Sequence, residues 1–161
     1  MTEKHYLEQL NQELTENLGE AIWSFAKIER LTYEYLRVLG GQEALVLAGH
    51  QNFGPRLNAL KRLIEVKELK ADTSAKILEL LTKAETLAKK RNAIAHNPWQ
   101  IYIDFEKRDF VAEIIKYMNQ EERIDRAGLE AFIKDAGEVG KNLESLLHEI
   151  QWANTSLEPT P

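Results

Sequence analysis

The sequence predicts an all-α protein: an antiparallel bundle of four to five helices with a short β-hairpin before the last helix. Three observations carry that expectation. Apolar residues recur at gaps of three and four through most of the 161-residue chain, the spacing of one face of a helix. Glycines, prolines and polar clusters interrupt that pattern at intervals suited to helical hairpins. In one place, after Pro98, the spacing drops to two, the period of a strand.

The first helix carries Leu7, Leu10, Leu14, Leu18, Ile22, Phe25, Ile28, Leu31 and Tyr35 on one face. Gly40 and Gly41 should end it, because they accept the left-handed conformation of a helix C-terminus. Ala44 to Ala48 can add one or two further turns. His50-Gln51-Asn52-Phe53-Gly54-Pro55 reads as a loop, with Pro55 opening a second helix whose stripe is Leu57, Leu60, Leu63 and Ile64. A third helix takes Asp72 as N-cap and Ile77, Leu80, Ala84 and Leu87 as its stripe. It must stop near Asn97, since a residue before proline is pushed out of helical geometry.

Beyond Pro98, Ile101, Ile103 and Phe105 alternate with Tyr102 and Asp104, and a β-rich stretch resumes from Phe110 to Ile115. Glu106 to Asp109 suits the turn of a hairpin, although Val111 to Met118 also fits a helix. Asp125 can cap the last helix, which carries Leu129, Phe132, Ala136, Val139, Leu143, Leu146 and Ile150. No repeat, linker or low-complexity tract divides the chain. The expected organisation is one domain over 1–153 and a polar, proline-bearing tail over 154–161 that should fray.

Composition excludes several function classes. Hydrophobic residues are 43% and charged residues 29%, with no cysteine. Disulfides, thiolate metal sites and a cysteine nucleophile are therefore out. No apolar run approaches the roughly 20 residues that span a bilayer, and Met1 to Tyr6 does not open a signal peptide. The expected setting is the cytoplasm, with no membrane partner. A net charge of −5, from 21 basic and 26 acidic residues, argues against non-specific duplex binding, which needs many neutralised phosphates. It leaves room for a local basic site. His5, His50 and His148 are scattered without metal-ligand spacing, no glycine-rich phosphate loop is present, and no cofactor is expected.

The informative run is Lys89-Lys90-Arg91-Asn92-Ala93-Ile94-Ala95-His96-Asn97-Pro98-Trp99. Continuing the third stripe by threes and fours leads from Leu87 to Arg91 and then Ile94. Arg91 thus stands where the pattern asks for a core residue, and a guanidinium there must snorkel outward or serve an anion. Asn92 and His96, four apart, share a helical face. Arg91 and His96, five apart, diverge by roughly 140° around an ideal helix, so they converge only at a helix end or across a second protomer. A last-turn arginine and histidine followed by Asn-Pro is also ordinary helix-terminating chemistry.

Arg91-Asn92-x-x-x-His96 resembles the defining motif of the HEPN superfamily: an arginine followed directly by a polar residue, then histidine four to six positions on. Its place at the end of a helix within a small bundle also fits, as does the continuation Ala95 to Trp99 before a hairpin and one long helix. The resemblance implies a metal-independent endoribonuclease acting as a homodimer with its two motifs facing. His96 would be general base or acid on the RNA 2′-hydroxyl, a task suited to histidine. Arg91 would hold the scissile phosphate, and Asn92 would orient the phosphate or the imidazole. Lys89 and Lys90 are candidates for steering RNA, and Trp99 and Tyr102 for stacking its bases. The alternatives are solubilising lysines and hairpin packing. HEPN toxins modified by nucleotidyltransferase antitoxins tend to carry a tyrosine two residues past the histidine, whereas Pro98 stands here. A toxin or defence role would therefore involve another antitoxin or protein partner. A second reading is a non-catalytic dimerising or partner-binding module, in which Arg91 is tied to an internal carboxylate and His96 is packed away.

Overall fold

Gaps of three and four become helix throughout, and the one period-two stretch becomes sheet. The computed structural model describes residues 3–106, 109–116 and 119–155. These form α1 (Glu3–Ala48), α2 (Phe53–Val66), α3 (Ala71–His96), β1 (Trp99–Asp104), β2 (Asp109–Lys116), β3 (Asn119–Asp125) and α4 (Arg126–Thr155).

The start of α1 sits by the start of α4, where Arg126 meets Glu13 at 2.6 Å. Further up, the Tyr35 hydroxyl donates to the Leu143 carbonyl at 2.7 Å, so α1 and α4 run the same way. α2 also runs with α1: Phe53 packs edge-on against Phe25, while Gly40 lies beside Leu63. The chain must therefore travel back between Gly41 and Phe53. Gly41 makes that reversal possible at φ 71°, in the left-handed region that β-carbons disfavour. Gly40 permits it sterically, since a β-carbon there would fall 2.3 Å from the Ala44 methyl. With the short helical return that follows, the described residues form five helical segments, each antiparallel to the next.

The apolar stripes form the core. Phe25, Ile28, Leu31 and Tyr35 of α1 meet Leu57, Leu60 and Ile64 of α2, Ile77, Leu81 and Ala84 of α3, and Leu129, Phe132, Ala136 and Leu143 of α4. Two positions differ from the expected stripes. Ile22 is 40% exposed and Ala21 is buried instead; Leu147 is buried where Leu146 was expected. Both shifts are by one residue, the drift that 3.6 residues per turn imposes on a strict three-four count.

Helix starts also shift. Arg56 N–H bonds to the Asn52 carbonyl at 3.0 Å, so α2 opens at Phe53 rather than Pro55. Pro55 sits in the first turn, where its missing N–H costs nothing. Lys70 is the N-cap residue of α3, not Asp72. Asp72 lies in the first turn and pairs with Lys76 at 2.7 Å, where its charge favours the helix dipole. Asp125 does cap α4, accepting the Gly128 N–H at 2.7 Å.

The expected hairpin is a three-stranded antiparallel sheet in the order β1-β2-β3. Trp99 opposes Ile114, Ile101 opposes Ala112 and Ile103 opposes Phe110, which makes Val111 to Ile115 strand rather than helix. The β3 strand is polar on most positions, so alternation did not announce it. The sheet closes over the start of α1, where Ala112 packs with Leu10 and Leu14. Buried Glu113 is satisfied by the Tyr102 hydroxyl at 2.7 Å and Arg123 at 2.8 Å. Among the described residues no helix is long and apolar enough to cross a membrane. The expected turn at residues 107–108 and most of the expected tail, residues 156–161, lie outside the described residues; α4 itself continues to Thr155.

Candidate functional site

The end of α3 is held where the sequence places it. Asn97 leaves helical geometry at φ −120° and ψ 140°, as a residue before proline must. Its backbone N–H and its side-chain amide both bond to the Ala93 carbonyl. His96 is therefore the last helical residue, and it is exposed.

Arg91 occupies the flank of α3 that faces α1. Its Nη2 donates to the Glu29 carboxylate at 2.6 Å, and its guanidinium carbon lies 5.0 Å from the Phe25 ring centroid, within cation–π range. The pair is partly open, with 24% of the arginine and 31% of the glutamate side chain exposed. This solves the problem posed by a cation on an apolar stripe: the stem is packed and the charge is matched at the rim.

Arg91, Asn92 and Lys89 line one cleft of about 630 Å³, walled by α1, α3 and the loop that opens α2. Glu85, Lys89 and Asn92 form a single stripe along α3, and His96 is its next position at a gap of four. The imidazole lies one turn past the cleft lining, roughly 6 Å of helix rise from Asn92. Among the described residues it makes no hydrogen bond or ion pair. Arg91 and His96 of one chain point in different directions, as their spacing requires.

The other sequence candidates separate. Lys90 faces the opposite groove, between α3 and α4, with Asp135 and Glu138. Trp99 is half-buried against both apolar clusters, its indole Nε1 buried with no hydrogen-bond partner among the described residues. Tyr102 is tied to Glu113, and that hydrogen bond is the main reason its hydroxyl titrates above the usual tyrosine range. The structure thus gives Trp99 a packing role and Tyr102 a sheet-bracing one, and neither lines the cleft.

Two residues of the cleft went unread in the sequence. Glu29 is the Arg91 partner. Arg56 is 3% exposed, with Nε donating to Thr32 Oγ1 at 2.9 Å and Nη1 to the Tyr33 hydroxyl at 2.7 Å and the Gln51 carbonyl at 2.9 Å. Its guanidinium carbon lies 4.0 Å from the Tyr33 ring centroid. The signal was available: Arg56 falls three after Phe53 and four before Leu60, on an apolar face like Arg91. Opposite, Glu85 is bonded by Lys61 at 2.9 Å, which holds its carboxyl below the usual range. Among the described residues no group of three histidine, aspartate or glutamate side chains could hold a metal ion.

Compared with protein-family models, curated proteins and solved structures, the chain matches none significantly.

Proposed function

We propose that the protein is a metal-independent HEPN-type endoribonuclease, acting in the cytoplasm as a homodimer within a toxin–antitoxin or defence system. One observation carries the reading. Asn92 and His96 lie exposed on a single stripe of α3, beside a cleft that holds Arg91 and Lys89.

The chemistry follows from these groups. His96 removes the proton of an RNA 2′-hydroxyl, and the 2′-oxygen attacks the adjacent phosphorus. The 5′-oxygen leaves with a proton, giving a 2′,3′-cyclic phosphate and a 5′-hydroxyl. Arg91 spends one N–H on Glu29 and has others for a phosphate. The divergence of Arg91 and His96 in one chain favours a site completed by a second protomer, whose motif faces the first.

The second reading, a non-catalytic dimerising or partner-binding module, expects Arg91 tied to a carboxylate, as Glu29 ties it, but it also expects His96 packed away, whereas His96 is exposed. Cleavage of a cellular RNA pool in EDTA separates the two. Wild type should cut, while Arg91→Ala and His96→Ala, both folded by circular dichroism, should lose at least 100-fold in rate, the usual scale for a general acid–base or an oxyanion-stabilising group. No cutting by wild type over a wide enzyme range sinks the nuclease and leaves the module.

A further inference from the structure

The cleft contains a cation that the motif does not use. Arg56 is 3% exposed, yet its three hydrogen bonds go to neutral oxygens of Thr32, Tyr33 and Gln51. Among the described residues no carboxylate pairs with it. A guanidinium removed from water without a counter-charge is costly to maintain. Among the described residues its Nη2 makes no hydrogen bond, and it is not wholly sealed from solvent. Arg56 is one of the residues that line the cleft.

The same wall offers more donors. α2 begins at Phe53, and its N-cap residue Asn52 makes no side-chain capping bond. Pro55 has no N–H, and the Arg56 N–H is taken by the Asn52 carbonyl. The Phe53 and Gly54 N–H groups are left at the positive end of the helix dipole. Gly54 lines the cleft, and a β-carbon built on it meets nothing within 4 Å, so the approach is clear. Across the cleft, both carboxylates are already committed, Glu29 to Arg91 and Glu85 to Lys61. Lys89 forms no ion pair among the described residues. The uncompensated charge on these walls is positive in a protein whose net charge is −5.

We propose that this wall is a phosphate-binding subsite, in which the Arg56 Nη2 edge and the first-turn N–H groups of α2 hold the anion and Lys89 adds charge from α3. Arg56 and Arg91 are braced by Tyr33 and Glu29, four residues apart on α1, and both line the cleft. The phosphate belongs either to an RNA backbone or to a free or terminal phosphate group. Neither depends on the cleavage reading, because the subsite is tested by binding alone.

The decisive variant is Gly54→Glu. A glutamate in the first turn suits the helix dipole, extends into open space, and places its own anion over the free N–H groups. Binding of inorganic pyrophosphate, and of a short oligoribonucleotide without terminal phosphates, is measured by calorimetry on the full chain. Wild type should bind pyrophosphate, and Gly54→Glu should weaken it at least tenfold, equivalent to about 1.4 kcal/mol, with an unchanged or higher melting temperature. Parallel weakening with the oligoribonucleotide assigns the subsite to chain phosphates; an effect on pyrophosphate alone assigns it to free or terminal ones. Lys89→Gln, at an exposed position, should give a smaller loss in the same direction and stands in if Gly54→Glu fails to fold. Wild type that binds neither ligand overturns the subsite. So does binding in the folded Gly54→Glu protein, or failing that in Lys89→Gln, as tight as in wild type.

Discussion

The two walls of the cleft hold their arginines in opposite ways. On the α2 wall Arg56 is buried, bonded to three neutral oxygens and, among the described residues, paired with no carboxylate. On the α3 wall Arg91 keeps a quarter of its side chain in solvent and shares a carboxylate with Glu29. The deeper charge is the uncompensated one. Stability considerations alone favour the reverse arrangement, because desolvation raises the cost of an unpaired ion. The difference teaches that the α3 wall is built like an ordinary rim ion pair, whereas the α2 wall carries a charge that no carboxylate among the described residues pairs.

The largest expected effect tests that contrast directly. Arg56→Ala should destabilise the protein by about 3 kcal/mol, since it opens a cavity and removes three bonds from buried or half-buried acceptors. In a chain of this size that lowers the melting temperature by roughly 6–12 °C. Arg91→Ala should cost about 1 kcal/mol or less, as partly exposed pairs do. Arg56→Met keeps the packing of the stem and removes the charge, so thermal denaturation should show it well above Arg56→Ala. Equal losses for Met and Ala would mean that the guanidinium bonds, not the packed stem, hold this wall together.

Tyr35, on the same helix, gives the scale for a neutral buried donor. Its hydroxyl bonds to the Leu143 carbonyl, and that carbonyl belongs to a helix, so Tyr35→Phe should cost about 1 kcal/mol. Burial first, and the Glu149 carboxylate second, push the Tyr35 hydroxyl well above its ordinary value. Below the unfolded value near 10 both states keep the proton and stability is unaffected. Above it the unfolded chain releases the proton first, so wild-type stability falls as pH rises through that window. Urea titrations from pH 9 to 11 should show a shallower fall in Tyr35→Phe.

The smallest effect sharpens the comparison from the α3 side. Glu29→Gln removes the anion that neutralises Arg91 and should change stability by about 0.5 kcal/mol or less. Pyrophosphate affinity should rise roughly two- to fivefold, the worth of one partly exposed charge pair. Unchanged affinity would show that Glu29 does not govern the charge of the cleft.

Local pattern made most of the fold legible. Leu129, Phe132, Ala136, Val139, Leu143 and Ile150 are spaced for one face of α4, and all six are buried. Asp125 and Pro98 mark helix ends through hydrogen bonding and sterics that need no distant partner. The third strand was not legible, because its mostly polar sequence pairs through backbone groups that residue type does not report. Within the site, the placement of Arg91, Asn92 and His96 at the end of α3 was readable, and so was the angle between Arg91 and His96, since both follow from 3.6 residues per turn.

What sequence by itself determined, then, is the helices, their apolar faces and the terminus that presents the motif, all set by neighbours within one or two turns. Tertiary structure alone decided that Glu29 meets Arg91 across 62 residues, that Lys90 turns to the opposite groove, and that Trp99 serves packing. It also decided that Arg56 is buried beside Thr32 and Tyr33, paired with no carboxylate among the described residues. A side chain's charge is written in the sequence, but its counter-charge and its share of water are set by whichever segments pack against it.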